Sequence, residues 1–308
     1  MSTDVSGPTI PDATWDRLLA IRAEDPGAVA RAYADRRRPG RLLNERGTLF
    51  IVAADHTARG ALAAGAEPLA MVERRSLIAR IVTALDHPDV DGVLGTPDVI
   101  EELLLLGVLD DKVVIGSMNR GGLDGATWTM DDRFTGYDAA SIAAHRLEGG
   151  KMLLRIDDGD AGTVPTLEAC SHAVSELAAL GLIAMVEPLP YRREEDGSLR
   201  LLKDVGSLAR AMTVASGLGT TSAHTWLKLP ACDEPERVFA ATTLPCVVLG
   251  GVPDPDPAKD LESWGRALAQ PTVRGLVVGR ALLYPPDGDV AGVVDAAAKV
   301  LRAAVTDG

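Results

Sequence analysis

The sequence predicts an α/β fold, a single (β/α)8 barrel (TIM barrel) preceded by a helical extension, and three observations carry that prediction. Short apolar runs alternate with amphipathic stretches along the whole chain, these runs number eight, and no stretch rich in Pro, Gly or Ser separates two domains. Eight repeats favour closure into a barrel over an open sheet, and 308 residues suit one barrel with an extension. The predicted division is residues 1–46 for the N-terminal helical extension and 47–308 for the catalytic barrel.

The predicted strands are Leu49 to Ala54, Gly92 to Gly95, Val113 to Gly116, Met152 to Ile156, Leu182 to Glu187, Ala223 to Leu229, Cys246 to Gly250 and Gly275 to Gly279. Helices between them carry readable ends. Thr96 and Pro97 form an N-cap and first-turn pair, and Gly107 follows the next apolar run as a stop. Leu77, Ile78, Ile81, Val82 and Leu85 have helical spacing, as do Leu167, Cys170, Val174 and Leu177 before Gly181. Trp15 to Ile21 and Ala28 to Ala34 read as two further helices that would cover the bottom or flank of the barrel. Pro286 to Asp289 is a loop before the last helix.

The formal charge of -13 argues against nucleic acid or an anionic membrane as partner, since either needs a broad basic surface. An anionic ligand would instead need a local pocket. Cys170, Cys232 and Cys246 form no CxxC pair and read as buried packing residues in a reducing compartment. Met1 to Pro11 lacks the basic and apolar regions of a leader, and no apolar run reaches the roughly 18 residues of a membrane span. The expectation is a soluble, cytoplasmic protein with a small-molecule partner, assembled as a homo-oligomer.

From Asn119 to Tyr137, after the third strand, the chain runs through Gly121, Gly122, Gly125, Trp128, Asp131 and Asp132 without clear periodicity. In a barrel this segment lies on the C-terminal face, where active sites are built, so it reads as a lid or substrate-contacting loop. A surface excursion or oligomer contact is the plain alternative.

Side chains alternate along a strand, so the last inward residue of each barrel strand points into the mouth. The chain has six lysines against twenty-five arginines, and one lysine sits in the apolar run Thr225-Trp226-Leu227-Lys228-Leu229-Pro230. Desolvation there lowers an amine's pKa and leaves more neutral nitrogen to attack a carbonyl. A strand-end lysine snorkelling to solvent is the structural alternative. Three other strands carry charge at or near their ends: Asp55-His56 on the first, Lys151 and Arg155 on the fourth, Glu187 on the fifth. One buried charge is commonly a structural ion pair, but several converging on one mouth point to a site. Gly250-Gly251 on the seventh strand and Gly279-Arg280 on the eighth would let backbone N–H groups approach an anion, as at the phosphate sites of such barrels, although turns need glycine too.

Asp55, Lys151, Glu187, Lys228, Gly250-Gly251 and Gly279-Arg280, spaced between Gly47 and Arg280, together resemble the class I fructose- and tagatose-bisphosphate aldolases. The resemblance implies that Lys228 forms the Schiff base, Glu187 shuttles protons, and Asp55 and Lys151 assist carbinolamine formation and hydroxyl orientation. It implies further that Gly250, Gly251, Gly279 and Arg280 hold the phosphate of dihydroxyacetone phosphate. Ala54-Asp55-His56, Asn119-Arg120-Gly121-Gly122-Leu123 and Asp131-Asp132-Arg133-Phe134 also resemble a bacterial aldolase branch, often labelled deoxyribose-phosphate aldolase, that is associated with inositol catabolism. The substrate implied is a phosphorylated keto sugar or sugar acid, with 6-phospho-5-dehydro-2-deoxygluconate as a candidate. Its carboxylate would need a cation, for which Arg155, Arg59 and Arg120 are candidates; His56, beside Asp55, reads from its position either as a substrate contact or as a strand-end cap.

No cofactor and no metal are expected. A class II aldolase needs several converging histidines; His145 and His172 fall on helices, His87 in a loop, and His224, two inward positions below Lys228, is expected to be packed inside the barrel. The alternatives are a deoxyribose-5-phosphate aldolase, a phosphate-binding barrel isomerase, or a noncatalytic sugar-phosphate-binding protein.

Overall fold

The computed structural model describes residues 7–251 and 253–306; part of the Met1–Pro11 stretch therefore lies outside the described residues. Two N-terminal helices, α1 (Asp12–Glu24) and α2 (Gly27–Asp35), precede the first strand. The chain then alternates β1 (Leu49–Ala54), α3 (Arg74–Leu85), β2 (Gly92–Gly95), α4 (Pro97–Leu105), β3 (Val113–Ser117), α5 (Ala139–Ala144), β4 (Gly149–Ile156), α6 (Thr163–Ala179) and β5 (Ile183–Arg193). It continues through β6 (Leu199–Leu201), α7 (Val205–Ser216), β7 (Thr225–Pro230), α8 (Pro235–Phe239), β8 (Cys246–Leu249), α9 (Pro257–Leu268), β9 (Val273–Val278), α10 (Arg280–Leu283) and α11 (Val290–Thr306).

Strand order β4-β3-β2-β1-β9-β8-β7-β5, closed by pairing of β4 with β5, makes a complete parallel barrel, so the (β/α)8 prediction holds. β6 stands outside the cylinder. It pairs antiparallel with the end of β5 through Tyr191–Leu201 and Arg193–Leu199, so the fifth strand runs well past the predicted stop at Glu187. Proline at 188 and 190 obscures this extension in the sequence, because a prolyl nitrogen cannot donate to a ladder.

The barrel interior is filled by Leu49, Ile51, Leu94, Val113, Ile115, Ile183, Met185, Trp226, Val247 and Val277. The opposite faces of the same strands, among them Phe50, Val52, Val93 and Val114, pack under the helices with Leu77, Ile81 and Leu103. Both faces are thus buried, which is why the strands read as apolar runs and not as alternation. Thr96 precedes α4 with Pro97 in its first turn, as predicted. The three cysteines are free and buried, also as predicted.

The N-terminal helices lie against the flank and bottom. Arg22 pairs with Glu101 on α4 at 2.5 Å, and the Tyr33 hydroxyl meets that of Tyr137 at 2.5 Å. Arg36 donates to the Lys112 carbonyl at 2.9 Å and is 3.0 Å from Glu148. Among the described residues no helix is long and apolar enough to cross a membrane.

Candidate active site

The C-terminal ends of the strands surround a cavity of about 530 Å³, lined by Asp55, His56, Arg120, Glu187, Lys228, Gly250, Gly251, Gly279 and Arg280 among others. Asp55 follows β1 directly, continuing the inward row of Leu49, Ile51 and Ala53. Lys151 occupies the inward row of β4 two steps below Arg155, Glu187 follows Met185 on β5, and Lys228 follows Trp226 on β7.

These side chains form one connected cluster. Lys228 Nζ is 2.8 Å from Glu187 Oε1, while Lys151 Nζ binds the other oxygen, Oε2. Lys151 also lies 3.3 Å from Asp55 Oδ2, which receives the Ser117 hydroxyl at 3.0 Å and pairs with Arg120. Arg120 donates through Nε to Ser117 Oγ at 3.1 Å. Sequence reasoning missed Ser117, although its place at the end of the inward row Val113, Ile115, Ser117 was a readable signal; Arg120, considered there as a ligand for substrate carboxylate, is instead committed to Asp55.

With every group ionised, three cations (Lys151, Lys228, Arg120) face two carboxylates (Asp55, Glu187) in a dry setting. Burial and the excess positive charge act on the two carboxylate-bound amines together. Burial, reinforced by Arg120 and Arg280 and opposed by Glu187, lowers the Lys228 pKa below that of a free lysine. Burial with Arg120 and Lys228 drives Lys151 well below its ordinary value, against Glu187. Glu187 goes the other way: burial would raise it, but Lys151, Lys228 and Arg120 outweigh that and hold its carboxyl well below the usual range. The lysines differ in access. Lys228 lines the cavity, whereas Lys151 lies behind it at 0% exposure.

One wall of the cavity is cationic. Arg280 reaches the Ala63 carbonyl with Nη1 at 3.3 Å, and its Nε is buried without a hydrogen-bond partner. Arg59 lies 3.6 Å from Asp124, and its Nη1 is likewise buried with no hydrogen bond. Gly279 has no room for a side chain: a Cβ there would sit 2.5 Å from the Ala53 carbonyl and 2.7 Å from His56 Cε1. Another part of the lining is apolar, built from Leu153, Leu189 and Leu249 with Tyr191 and Leu201 of the β5–β6 hairpin.

The long segment after β3 is fastened to this mouth. Arg155 binds Asp132 through Nε at 2.8 Å and Nη2 at 2.6 Å, and Nη2 also binds the Gly122 and Thr129 carbonyls. Arg155 thus lines the cavity with its guanidinium already spent on the loop. Asn119 adds a brace, donating to the Leu153 carbonyl at 2.7 Å and accepting from its N–H at 2.6 Å. His224 corrects an expectation: it sits half-buried in the turn before β7, because the strand begins at Thr225 and Trp226 fills the interior in its place. Among the described residues no cluster of three or more His, Cys, Asp or Glu could hold a metal.

Fold and cleft together define a (β/α)8 barrel with a cluster of buried ionisable side chains at the C-terminal mouth of its strands. Solved structures agree at the level of fold: a Schiff-base-forming fructose-1,6-bisphosphate aldolase is 16% identical with a TM-score of 0.62, covering 89% of this chain and 99% of that one. A fructose-bisphosphate aldolase from Slackia heliotrinireducens is 15% identical with a TM-score of 0.64, covering 90% of this chain and 92% of that one. The Cgl0159-like family model matches residues 47–298, and the chain belongs to that family. The crystal structure of Cgl0159 from Corynebacterium glutamicum is 48% identical with a TM-score of 0.93, covering 96% of this chain and 99% of that one. Among curated proteins nothing matches.

Proposed function

We propose that the protein is a class I aldolase that cleaves a phosphorylated keto sugar or sugar acid through a Schiff base on Lys228. The observation that carries the reading is the Lys228 amine on the cavity wall, buried and 2.8 Å from Glu187. Desolvation favours the neutral amine, which attacks the substrate ketone to give a carbinolamine. Loss of water from that adduct needs a proton at the departing hydroxyl. Glu187, in contact with both lysines, is placed to relay it, while Lys151 and Asp55 fix its orientation.

Gly250, Gly251, Gly279 and Arg280 on the cavity wall support binding of the phosphate of the ketone half, leaving dihydroxyacetone phosphate after cleavage. For 6-phospho-5-dehydro-2-deoxygluconate the other product is malonate semialdehyde. Of the three arginines considered for its carboxylate, Arg120 is bound to Asp55 and Arg155 to Asp132, so Arg59, whose Nη1 makes no hydrogen bond and lies 3.6 Å from Asp124, best suits that role.

Borohydride reduction in the presence of dihydroxyacetone phosphate tests the reading, since only an imine becomes a permanent mass adduct. The adduct is expected on the peptide containing Lys228 and absent in Lys228→Met. No adduct on the wild-type protein would overturn the Schiff-base mechanism, and an adduct on Lys151 would overturn the assignment of the nucleophile.

A further inference from the structure

Cleavage of a carbon–carbon bond next to an imine requires a base for the hydroxyl on the carbon beyond that bond. The described cavity offers few. Glu187 is assigned above to the proton of the carbinolamine step and accepts from both lysines, and Asp55 accepts from Ser117, Lys151 and Arg120. Tyr191 has its pKa raised by burial and is a donor at neutral pH. Asp254 and Asp260 belong to the rim, where Asp260 accepts the Asp254 N–H at 3.1 Å and Asp254 pairs with Lys259 at 3.7 Å.

His56 is different. It ends the β1 connection, lines the cavity, and keeps 19% of its side chain exposed. Its Nδ1 is buried with no hydrogen bond, and the nearest carboxylate oxygen is Asp55 Oδ1 at 4.0 Å. A carboxylate on that side favours the tautomer with hydrogen on Nδ1, which leaves the Nε2 lone pair for the cavity. The absence of a side chain at Gly279 makes the space for the ring: a Cβ would come within 2.7 Å of Cε1.

Resting on the class I reading above, we propose that His56 is the catalytic base that takes the substrate hydroxyl proton during carbon–carbon cleavage. Nε2 removes the proton, and the O–H pair becomes the new carbonyl bond of the leaving aldehyde. The breaking C–C pair becomes the C=C bond of the enamine, and the iminium π pair returns to the Lys228 nitrogen. The proton rests on the imidazole and leaves to solvent, so protonation of the enamine carbon does not depend on His56. Burial and the neighbouring Arg280, Lys228 and Lys151, against Glu187, keep the ring neutral in the empty site. A bound phosphate dianion would offset Arg280 and make the ring more basic when substrate is present.

The test separates two half-reactions. With dihydroxyacetone phosphate alone in D2O, exchange of a hydroxymethyl hydrogen needs the Lys228 imine but no hydroxyl base. Condensation of dihydroxyacetone phosphate with glycolaldehyde needs both, because the reverse of the cleavage step must return a proton to the new hydroxyl. His56→Gln, which keeps a polar group near Nε2, and His56→Asn, which keeps one near Nδ1, are expected to exchange and to trap with borohydride like the wild type. Their condensation should fall by roughly two to four orders of magnitude. Preserved exchange also shows that the variants fold. Condensation at the wild-type rate would overturn the role of His56, and so would equal loss of exchange and condensation. Failure of the wild-type protein itself to form the reduced adduct would sink the Schiff-base reading, a result distinct from either.

Discussion

Lys228 and Glu187 meet at 2.8 Å across adjacent strands, and the second oxygen of the same carboxylate is taken by Lys151. A single anion therefore governs the protonation of two buried amines, one facing the cavity and one behind it.

Replacing Glu187 by Gln removes the one charge that raises the Lys228 pKa against burial, Arg120 and Arg280. The sign follows directly: without the carboxylate the ammonium loses stabilisation, its pKa falls further, and the neutral amine persists to lower pH. Adduct formation should therefore shift its pH profile to the acid side, while overall turnover falls by roughly two to four orders of magnitude because the proton relay is gone. Borohydride trapping across a pH series checks both parts; an alkaline shift would contradict the assignment.

Asp132 is fully buried against Arg155, so Asp132→Ala strands a guanidinium inside the protein. Urea unfolding should show a loss of about 3–5 kcal/mol, as for other broken buried pairs. Replacing both partners, Asp132→Leu with Arg155→Met, should recover much of that loss, because no unpaired charge remains. A double variant as unstable as Asp132→Ala would show that the pair is not what fastens the loop.

Gly279→Ala would press a methyl group against the Ala53 carbonyl and the His56 ring. Backbone cannot yield cheaply there, so the expected cost is about 1–3 kcal/mol in stability. Turnover should fall more than stability alone explains, since the His56 ring is displaced. Thermal unfolding beside a condensation assay distinguishes the two effects, and an unchanged protein would mean that the strand ends are looser than the distances indicate.

Arg280 faces the cavity with a buried Nε that makes no hydrogen bond, and the proposed function assigns it to the substrate phosphate. Arg280→Ala should raise KM for a phosphorylated substrate more than it lowers kcat, because phosphate binding is largely uniform between ground and transition states. An unchanged KM would place the phosphate elsewhere.

Much of the scaffold was legible before any coordinates. The eight apolar runs became the eight barrel strands, because strands buried on both faces leave no choice but continuous apolar sequence. Inward periodicity aligned Glu187 and Lys228 with the mouth and Lys151 with the interior below it, and the free, buried cysteines followed from their spacing and surroundings. The β5–β6 hairpin was not legible: its pairing joins residues across a turn, and Pro188 and Pro190 argue locally against a strand. His224 was misplaced because the strand starts two residues later than predicted, at Thr225 and not Ala223, which leaves position 224 in the preceding turn although its inward parity was read correctly.

The sequence by itself determined the barrel, the order of its elements and the identity of the charged residues on its strand ends, since these depend on local periodicity and on alternation along each strand. Only the tertiary structure decided which charges are partners. Arg120 and Arg155 stand as equivalent cations in the sequence, yet one binds Asp55 within the cluster and the other binds Asp132 to hold the loop. Arg59, Arg280 and His56 retain polar atoms without hydrogen bonds. That division is set by distances between residues far apart in the chain, and electrostatic energy in a buried site depends on those distances and on exclusion of water, neither of which sequence order encodes.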